Sequence, residues 1–365
     1  MYVVHFKKIG FCLLFLVISA LTAVLITNSA GGVFFYKAAF SCVISPLNPP
    51  ADAYAQKALA FFNLGEKKNL LCGAFPALAI ASGPRQVASG KTQAAKNGEA
   101  ALPQKTAVPQ TKEISIVKGD ETDAAGLYIK NATDYTVNAS ELLAAPLDFT
   151  YNPGQPQVLI VHTHTSESYL PSPAYDYVPT DNSRTEDTNF NVARVGDELE
   201  KYLKEAGINV IHDNTINDYP SYNGAYQKTM GLIESYTQKY PSLQVVIDLH
   251  RDSMETADGV KMRPTANISG EAVAQVMVVI GTDANGLTHP NWRTNLSWGL
   301  RLMKEMNAKY PGLARPLDLR CERFNGHLAQ GEMILEFGTT GNTIEEALLA
   351  AKYTADCLAA VIKSQ

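Results

Sequence analysis

From Gln157 onward the chain alternates short apolar runs with longer amphipathic stretches, and that rhythm leaves little choice of architecture. Val158-Leu159-Ile160-Val161 reads as a short buried strand. Val192, Val195, Leu199, Tyr202, Leu203 and Ala206 fall on one helical face, and Gly207 stands where a left-handed C-terminal cap belongs. Ile208 to Ile211 then predicts a strand, Tyr226 to Tyr240 a helix, and Leu243 to Leu249 a strong buried strand. Val276 to Ile280 and Met333 to Phe337 predict two more strands, with helices near 295–309 and 344–362. Strands separated by helices pair in parallel and carry helices on their faces. The expected class is α/β: a mostly parallel sheet with helices on both faces, within residues 155–365.

The part before this domain has a different character. Ile9 to Thr27 is a run of 19 residues without a charge, preceded by Lys7 and Lys8. At 1.5 Å per residue a helix of that length reaches roughly 28 Å, close to the hydrocarbon thickness of a bilayer. The lysines place the N-terminus in the cytoplasm and send the chain beyond the run to the far side of the membrane. Residues 1–30 are therefore expected to be a cytoplasmic tip and one transmembrane anchor. The rival reading is a cleaved signal peptide, since Ser29, Ala30, Gly31 and Gly32 are small; the length of the run favours the anchor, and both readings export the rest. Residues 31–80 have no assignable job, although 51–63 could form an amphipathic helix. Residues 81–113 are Ala, Gly, Pro, Gln and Lys with few large apolar side chains, so they cannot bury enough surface to offset ordering and read as a flexible linker. Residues 114–154 lead into the fold as a small cap or edge element.

Net charge bears on partners. At -5, with a pI near 5.8, the chain offers no basic face of the kind that neutralises phosphates, which argues against nucleic acid. Cys12, Cys42, Cys72, Cys321 and Cys357 show no C-x-x-C spacing and are odd in number, which argues against a disulfide framework. A metal in this chain must be held by His and carboxylate.

In open α/β sheets ligands bind beyond the carboxyl ends of the strands. Three places meet that condition: His162-Thr163-His164-Thr165-Ser166-Glu167 after the first strand, Asp248-Leu249-His250-Arg251-Asp252-Ser253 at the end of the 243–249 strand, and Glu336-Phe337-Gly338 in the last strand. A catalytic zinc commonly takes three His or carboxylate ligands and leaves one position for water. H-x-H followed by an acid, with a second His-acid cluster, points to such a site. Glu336 lies in the apolar strand Met-Ile-Leu-Glu-Phe, where a charge is costly unless it is paired or close to a metal. His212-Asp213 reads equally as a strand end with a turn. His289 and His327 fall in loops and are expected to be exposed.

Five stretches, HTHTSESYLP (162–171), NVARVGDEL (191–199), HDNTINDYPSYNGAY (212–226), VVIDLHRDS (245–253) and GEMILEFGTTGNTIEEA (331–347), closely resemble the stage II sporulation protein P family of endospore-forming bacteria. The resemblance covers essentially residues 155–360. It implies a peptidoglycan hydrolase of the engulfment machinery, similar in fold to zinc-dependent N-acetylmuramoyl-L-alanine amidases. It also implies a zinc ion, an extracytoplasmic catalytic domain at the sporulation septum, and partnership with a lytic transglycosylase (stage II sporulation protein D) and a polytopic membrane protein (M). By that resemblance His250 is a ligand, His162 or His164 is another, and Glu336 is the catalytic acid-base. The alternation of side chains along an extended segment would point His162 and His164 the same way. The acid ligand is Glu167, with Glu186 or Asp187 as alternatives, because the chain departs here from the amidase motif. Arg251, Tyr226 and Asp252 are expected substrate contacts, Arg251 for a stem-peptide carboxylate. The rival functions are a zinc endopeptidase or carboxypeptidase acting on the stem peptide alone, and a non-catalytic wall-binding scaffold.

Overall fold

The computed structural model describes residues 110–118, 121–122, 126–178 and 183–365. The expected anchor, the juxtamembrane segment and nearly all of the linker lie outside these residues. Among the described residues no helix is long and apolar enough to cross a membrane.

The described chain runs β1 (Thr111–Ile114), β2 (Glu121–Thr122), β3 (Tyr128–Asn131), α1 (Ala139–Ala144), β4 (Val158–Val161), α2 (Val192–Glu205), β5 (Val210–His212), α3 (Ala225–Lys239), β6 (Val245–Asp252), β7 (Lys261–Ile268), β8 (Glu271–Ala274), β9 (Val276–Gly281), α4 (Trp292–Lys309), β10 (Leu317–Arg320), β11 (Gly331–Thr339) and α5 (Ile344–Lys363). Eight strands form the central sheet in the order β2-β3-β10-β9-β11-β6-β4-β5, and β1-β7-β8 form a small second sheet. Every predicted strand and helix of the domain is present, with shifts of a few residues at the ends. The strand expected to stop at Leu249 continues to Asp252, so His250, Arg251 and Asp252 belong to it and alternate across its faces.

The sheet is mixed, built of two parallel blocks with β2 added antiparallel to β3 at one edge. β5, β4, β6 and β11 pair in parallel, as do β9, β10 and β3, and the blocks meet where β9 runs antiparallel to β11. A parallel pair needs a long crossover, usually a helix. Between β6 and β9 the chain instead makes the β7–β8 hairpin, so β9 returns in the opposite direction.

Register fixes two faces. Val158 and Ile160 of β4, Val245, Ile247 and Leu249 of β6, Met333, Leu335 and Phe337 of β11, and Val278 and Ile280 of β9 point to one side, where α2, α4 and α5 bury them in the main core. Leu159, Val161 and Val246 point to the other, against Ile233 of α3. Helix α2 ends as its sequence requires: Gly207 takes φ +79°, its N–H donates to the Lys204 carbonyl, and the Ile208 N–H reaches back to Leu203, which occupies the last turn's orphaned acceptors. At the other end the Asn191 side chain accepts from the Ala193 N–H and caps the helix.

Candidate active site

The candidate site stands on the α3 face. Asp248, His250 and Asp252 share that face of β6, and β11 sets Glu336 directly beside His250. His250, Asp252 and Glu336, with Ile334, Met277, Val279 and Asp318, floor a groove of about 560 Å³, whose rim includes Tyr226, Phe324, Arg315, Lys130 and Arg320.

The segment after β4 delivers the other partners. Residues 163–166 form a turn, closed by the Glu167 N–H donating to the His164 carbonyl at 3.0 Å. The turn breaks the alternation expected of an extended strand, so the two histidines diverge. His164 lies with its ring centroid 5.3 Å from that of His250, stacked on Tyr222 at 4.3 Å and edge-on to Tyr226 at 5.6 Å. His162 turns to the far side, where its Nδ1 donates to the Leu249 carbonyl at 2.9 Å and its Nε2 lies 2.8 Å from Nε2 of His212. The expectation that both point the same way is thus corrected. Glu167 comes next along the chain and places Oε2 3.4 Å from His250 Nδ1, while Nε2 of His250 stands 2.9 Å from Asp248. Thr163 fixes Asp248 by donating from its N–H and its hydroxyl. Of the alternative acids, Glu186 and Asp187 are exposed, and Asp187 spends an oxygen on Asn189.

The electrostatics divide the groups. Burial holds the His164 imidazole down at about 4, against the pull of Glu167, so it is neutral at physiological pH. Burial acts the same way on His250, but Asp248 and Glu167 outweigh it and raise that ring well above the ordinary value. For Glu167 burial is overcome by Arg251 and His250, which hold the carboxyl low. Glu336 behaves oppositely: its Oε2 is shielded although the residue borders the groove, and burial, with Asp252 and Glu167 nearby, pushes it up to about 8. Its position depends on a kink. The register of β11 shifts after Glu336, Gly338 adopts φ +67°, and a Cβ there would stand 2.7 Å from Asn342 Oδ1. Asn342 Oδ1 accepts from the Thr339 N–H at 2.9 Å and locks the kink, which gives Glu-Phe-Gly followed by Asn342 a physical reason.

Other expectations fare differently. Tyr226 and Asp252 do line the groove. Arg251 does not: it is buried on the opposite face, with Nε donating to the Ser168 carbonyl and Nη2 to that of Ser183, so it ties those two residues to β6 and has no guanidinium edge turned to a stem carboxylate. His289, expected at the surface, is 1% exposed, packed where a Cβ on Gly326 would meet its Nε2 at 2.5 Å. Sequence reasoning missed Tyr222, whose only signal was its place in the 212–226 stretch, and Arg315, which had none. Among the described residues, the His/Asp/Glu ligand atoms that all lie within 4.8 Å of one another are those of Asp197, Glu200 and His212, on the far side with His162.

A family model for stage II sporulation protein P matches residues 61–359. Stage II sporulation protein P of Bacillus subtilis (strain 168) is 31% identical over a 214-residue alignment that covers 54% of this chain and 49% of the relative, so the match spans about half of the relative's length. Among solved structures, the apo N-acetylmuramyl-L-alanine amidase Ami1 of Mycobacterium abscessus aligns at 13% identity over 58% of this chain and 99% of that one, with a TM-score of 0.34. The catalytic domain of CwlV, an N-acetylmuramoyl-L-alanine amidase of Bacillus (Paenibacillus) polymyxa, aligns at 12% identity over 57% and 97%, with a TM-score of 0.33. The family match covers well over half of the sequence and takes in every element that builds the groove, and on that ground the chain belongs to the stage II sporulation protein P family.

Proposed function

We propose that this chain is a zinc-dependent peptidoglycan hydrolase that cuts the amide between the lactyl group of N-acetylmuramic acid and L-alanine of the stem peptide. The observation that carries the reading is that His164 and Glu167, from the segment after β4, stand against His250 of β6, which shares a groove with the raised acid Glu336 of β11. The donor types suit a zinc ion, although the ligand atoms of His164, His250 and Glu167 do not all lie within 4.8 Å of one another and would have to draw together around it. His164 Nδ1 and His250 Nε2 are buried without a hydrogen-bond partner, the latter close to Asp248 but outside hydrogen-bonding geometry, and two imidazoles with a carboxylate are a common zinc set. His164, His250 and Glu167 would hold the ion. When bound, zinc would acidify a water molecule and polarise the scissile carbonyl.

The chain's own part is proton movement and orientation. Glu336 takes the proton of the attacking water on its shielded oxygen and then delivers it to the departing amine nitrogen. A carboxyl near 8 suits both acts near neutrality. Products are a free lactyl carboxyl and a stem peptide with a free amino terminus. Tyr226 keeps its proton, since burial raises it far above the usual phenol, and it lines the groove as a neutral wall and donor. Cleavage within stem cross-links would use the same groups. The family assignment supports a sporulation setting, with peptidoglycan as substrate, the D and M proteins as partners, and the domain held outside the cytoplasm by the apolar run 9–27.

Glu336→Gln tests the reading on purified sacculi. Release of stem peptide should fall by roughly 10²- to 10⁴-fold, the usual worth of a general acid-base, while zinc stays bound. Mass spectrometry of the products should show muramic acid with its lactyl carboxyl free; shortened or uncrosslinked stems would favour the peptidase, and undiminished release would remove Glu336 from its role.

A further inference from the structure

The sequence offered Arg251 for a substrate carboxylate and the structure withdraws it, which turns attention to the arginines that do line the groove, Arg315 above all. Arg315 precedes β10, with its backbone N–H held at 2.8 Å by the carbonyl of Val276 on β9. Its Nη2 nevertheless reaches Oδ2 of Asp252 at 2.8 Å, on β6. Since β11 lies between β9 and β6, the side chain crosses the end of β11, just past Glu336. Arg315, Asp252, Glu336 and His250 all line the same groove. The side chain is 8% exposed, and two of its donors, Nε and Nη1, are buried with no hydrogen-bond partner in the protein.

A guanidinium this buried is costly when its donors go unused, by more than one pairing with Asp252 returns. The other cations of the groove are different in kind. Lys118 and Lys130 are exposed, the latter 3.7 Å from Asp318, and Arg320 is engaged by Glu322 and Asp318. Arg315 is thus a guanidinium anchored by one carboxylate, with donors in reserve, beside the proposed proton shuttle. Such a group is built to receive an anion, and planar guanidinium matches carboxylate best.

We propose that Arg315 forms a carboxylate subsite that reads the stem peptide next to the scissile amide, taking the free α-carboxylate of the second stem residue, a glutamate linked onward through its γ-carbonyl. The inference rests on the hydrolase reading and adds the substrate's ionic state to it: stems carrying a carboxamide in place of that carboxylate are poor ligands. Asp252 is a positioning residue, holding the guanidinium across β11.

The test separates binding from cleavage. Calorimetry on the full-length Glu336→Gln chain with zinc measures binding of two muropeptides that differ only in carboxylate against carboxamide at the second residue. The carboxylate form should bind tighter by roughly 10- to 100-fold, the range of a hydrogen bond to a charged group. Adding Arg315→Gln should erase the preference, and Arg315→Lys, which keeps the charge and guards against a folding defect, should restore part of it. Equal binding of both muropeptides, or a preference that survives Arg315→Gln, overturns the subsite. Cleavage of the same pair by the wild-type chain is the second arm: preference in binding with no cleavage retires the hydrolase and keeps the subsite, whereas cleavage of both at equal kcat/KM does the reverse.

Discussion

Two histidines two residues apart, His162 and His164, end on opposite sides of the sheet, and the contrast separates structure from chemistry. His162 is fully buried, its Nδ1 spent on the Leu249 carbonyl and its Nε2 on His212, whose other nitrogen faces Asp197 at 3.2 Å. His164 stands on the other face, stacked on Tyr222 and edge-on to Tyr226 of the groove, with a nitrogen that no protein group uses. A ring with every nitrogen committed holds the fold together. A ring with one in reserve is available to a ligand.

Paired truncations break or confirm this division most forcefully. His164→Ala should abolish retention of zinc and cut sacculus hydrolysis by roughly 100-fold or more, with little change in the urea midpoint. His162→Ala should do the reverse, costing about 2–4 kcal/mol of stability while the folded fraction still holds zinc. Zinc analysis and urea titration of both variants decide; a zinc loss in the His162 variant equal to that in the His164 variant would merge the two roles.

A pH series sharpens the comparison. Burial, with His212 alongside, depresses His162 to about 3, below the ordinary imidazole value near 6.5. Above pH 6.5 the ring is neutral folded or unfolded and contributes nothing. Between about 6.5 and 3 only the unfolded chain takes the proton, so stability falls as pH falls, by up to about 1.4 kcal/mol per pH unit for this group. His164 and His289, both depressed to about 4, act in the same direction. Urea midpoints from pH 7 to 4.5 should therefore decline more steeply in the wild type than in His162→Gln. Parallel declines would mean that His162 is not held neutral by its surroundings.

How much of the molecule the sequence discloses depends on how strongly local chemistry constrains each part. The apolar runs of β4 and β9, and those that open β6 and fill the middle of β11, mark strands plainly. β7, Lys-Met-Arg-Pro-Thr-Ala-Asn-Ile, hides because its outer position mixes polar residues and Pro264 into the strand, and β10, Leu-Asp-Leu-Arg, is too short to stand out. The reversal of β9 was hidden with them, since the hairpin that causes it was not seen. Glu336 and His250 were legible because a charge in an apolar strand needs a reason. The alternation of β6 could have excluded Arg251, which must face away from His250 once the strand is known to run to Asp252. The split of His162 from His164 was not legible, since it depends on a four-residue turn whose sequence, Thr-His-Thr-Ser, carries no Gly or Pro to mark it. Arg315 lay beyond reach because its partner, Asp252, is three strands away in space and 63 positions in sequence, the difference between 315 and 252.

The structural half of the comparison can be probed without touching either histidine. Gly196 lies in the middle of α2, where glycine is about 1 kcal/mol worse than alanine for a helix. Its reason is the histidine pair: a Cβ would stand 2.6 Å from His212 Nε2 and 2.9 Å from His162 Nε2. Both rings are packed and bonded to each other, so neither yields without breaking the 2.8 Å contact between them or the bond to Leu249. Gly196→Ala should therefore destabilise by about 1–2 kcal/mol net, overpacking exceeding the gain in helix propensity. Sacculus hydrolysis per folded molecule should stay near wild type, because the change falls on the His162 side of β4. A stabilised variant would mean that the histidine pair is loose and that the back of the sheet has room, and its tight packing could then no longer explain why His162 stays out of the groove.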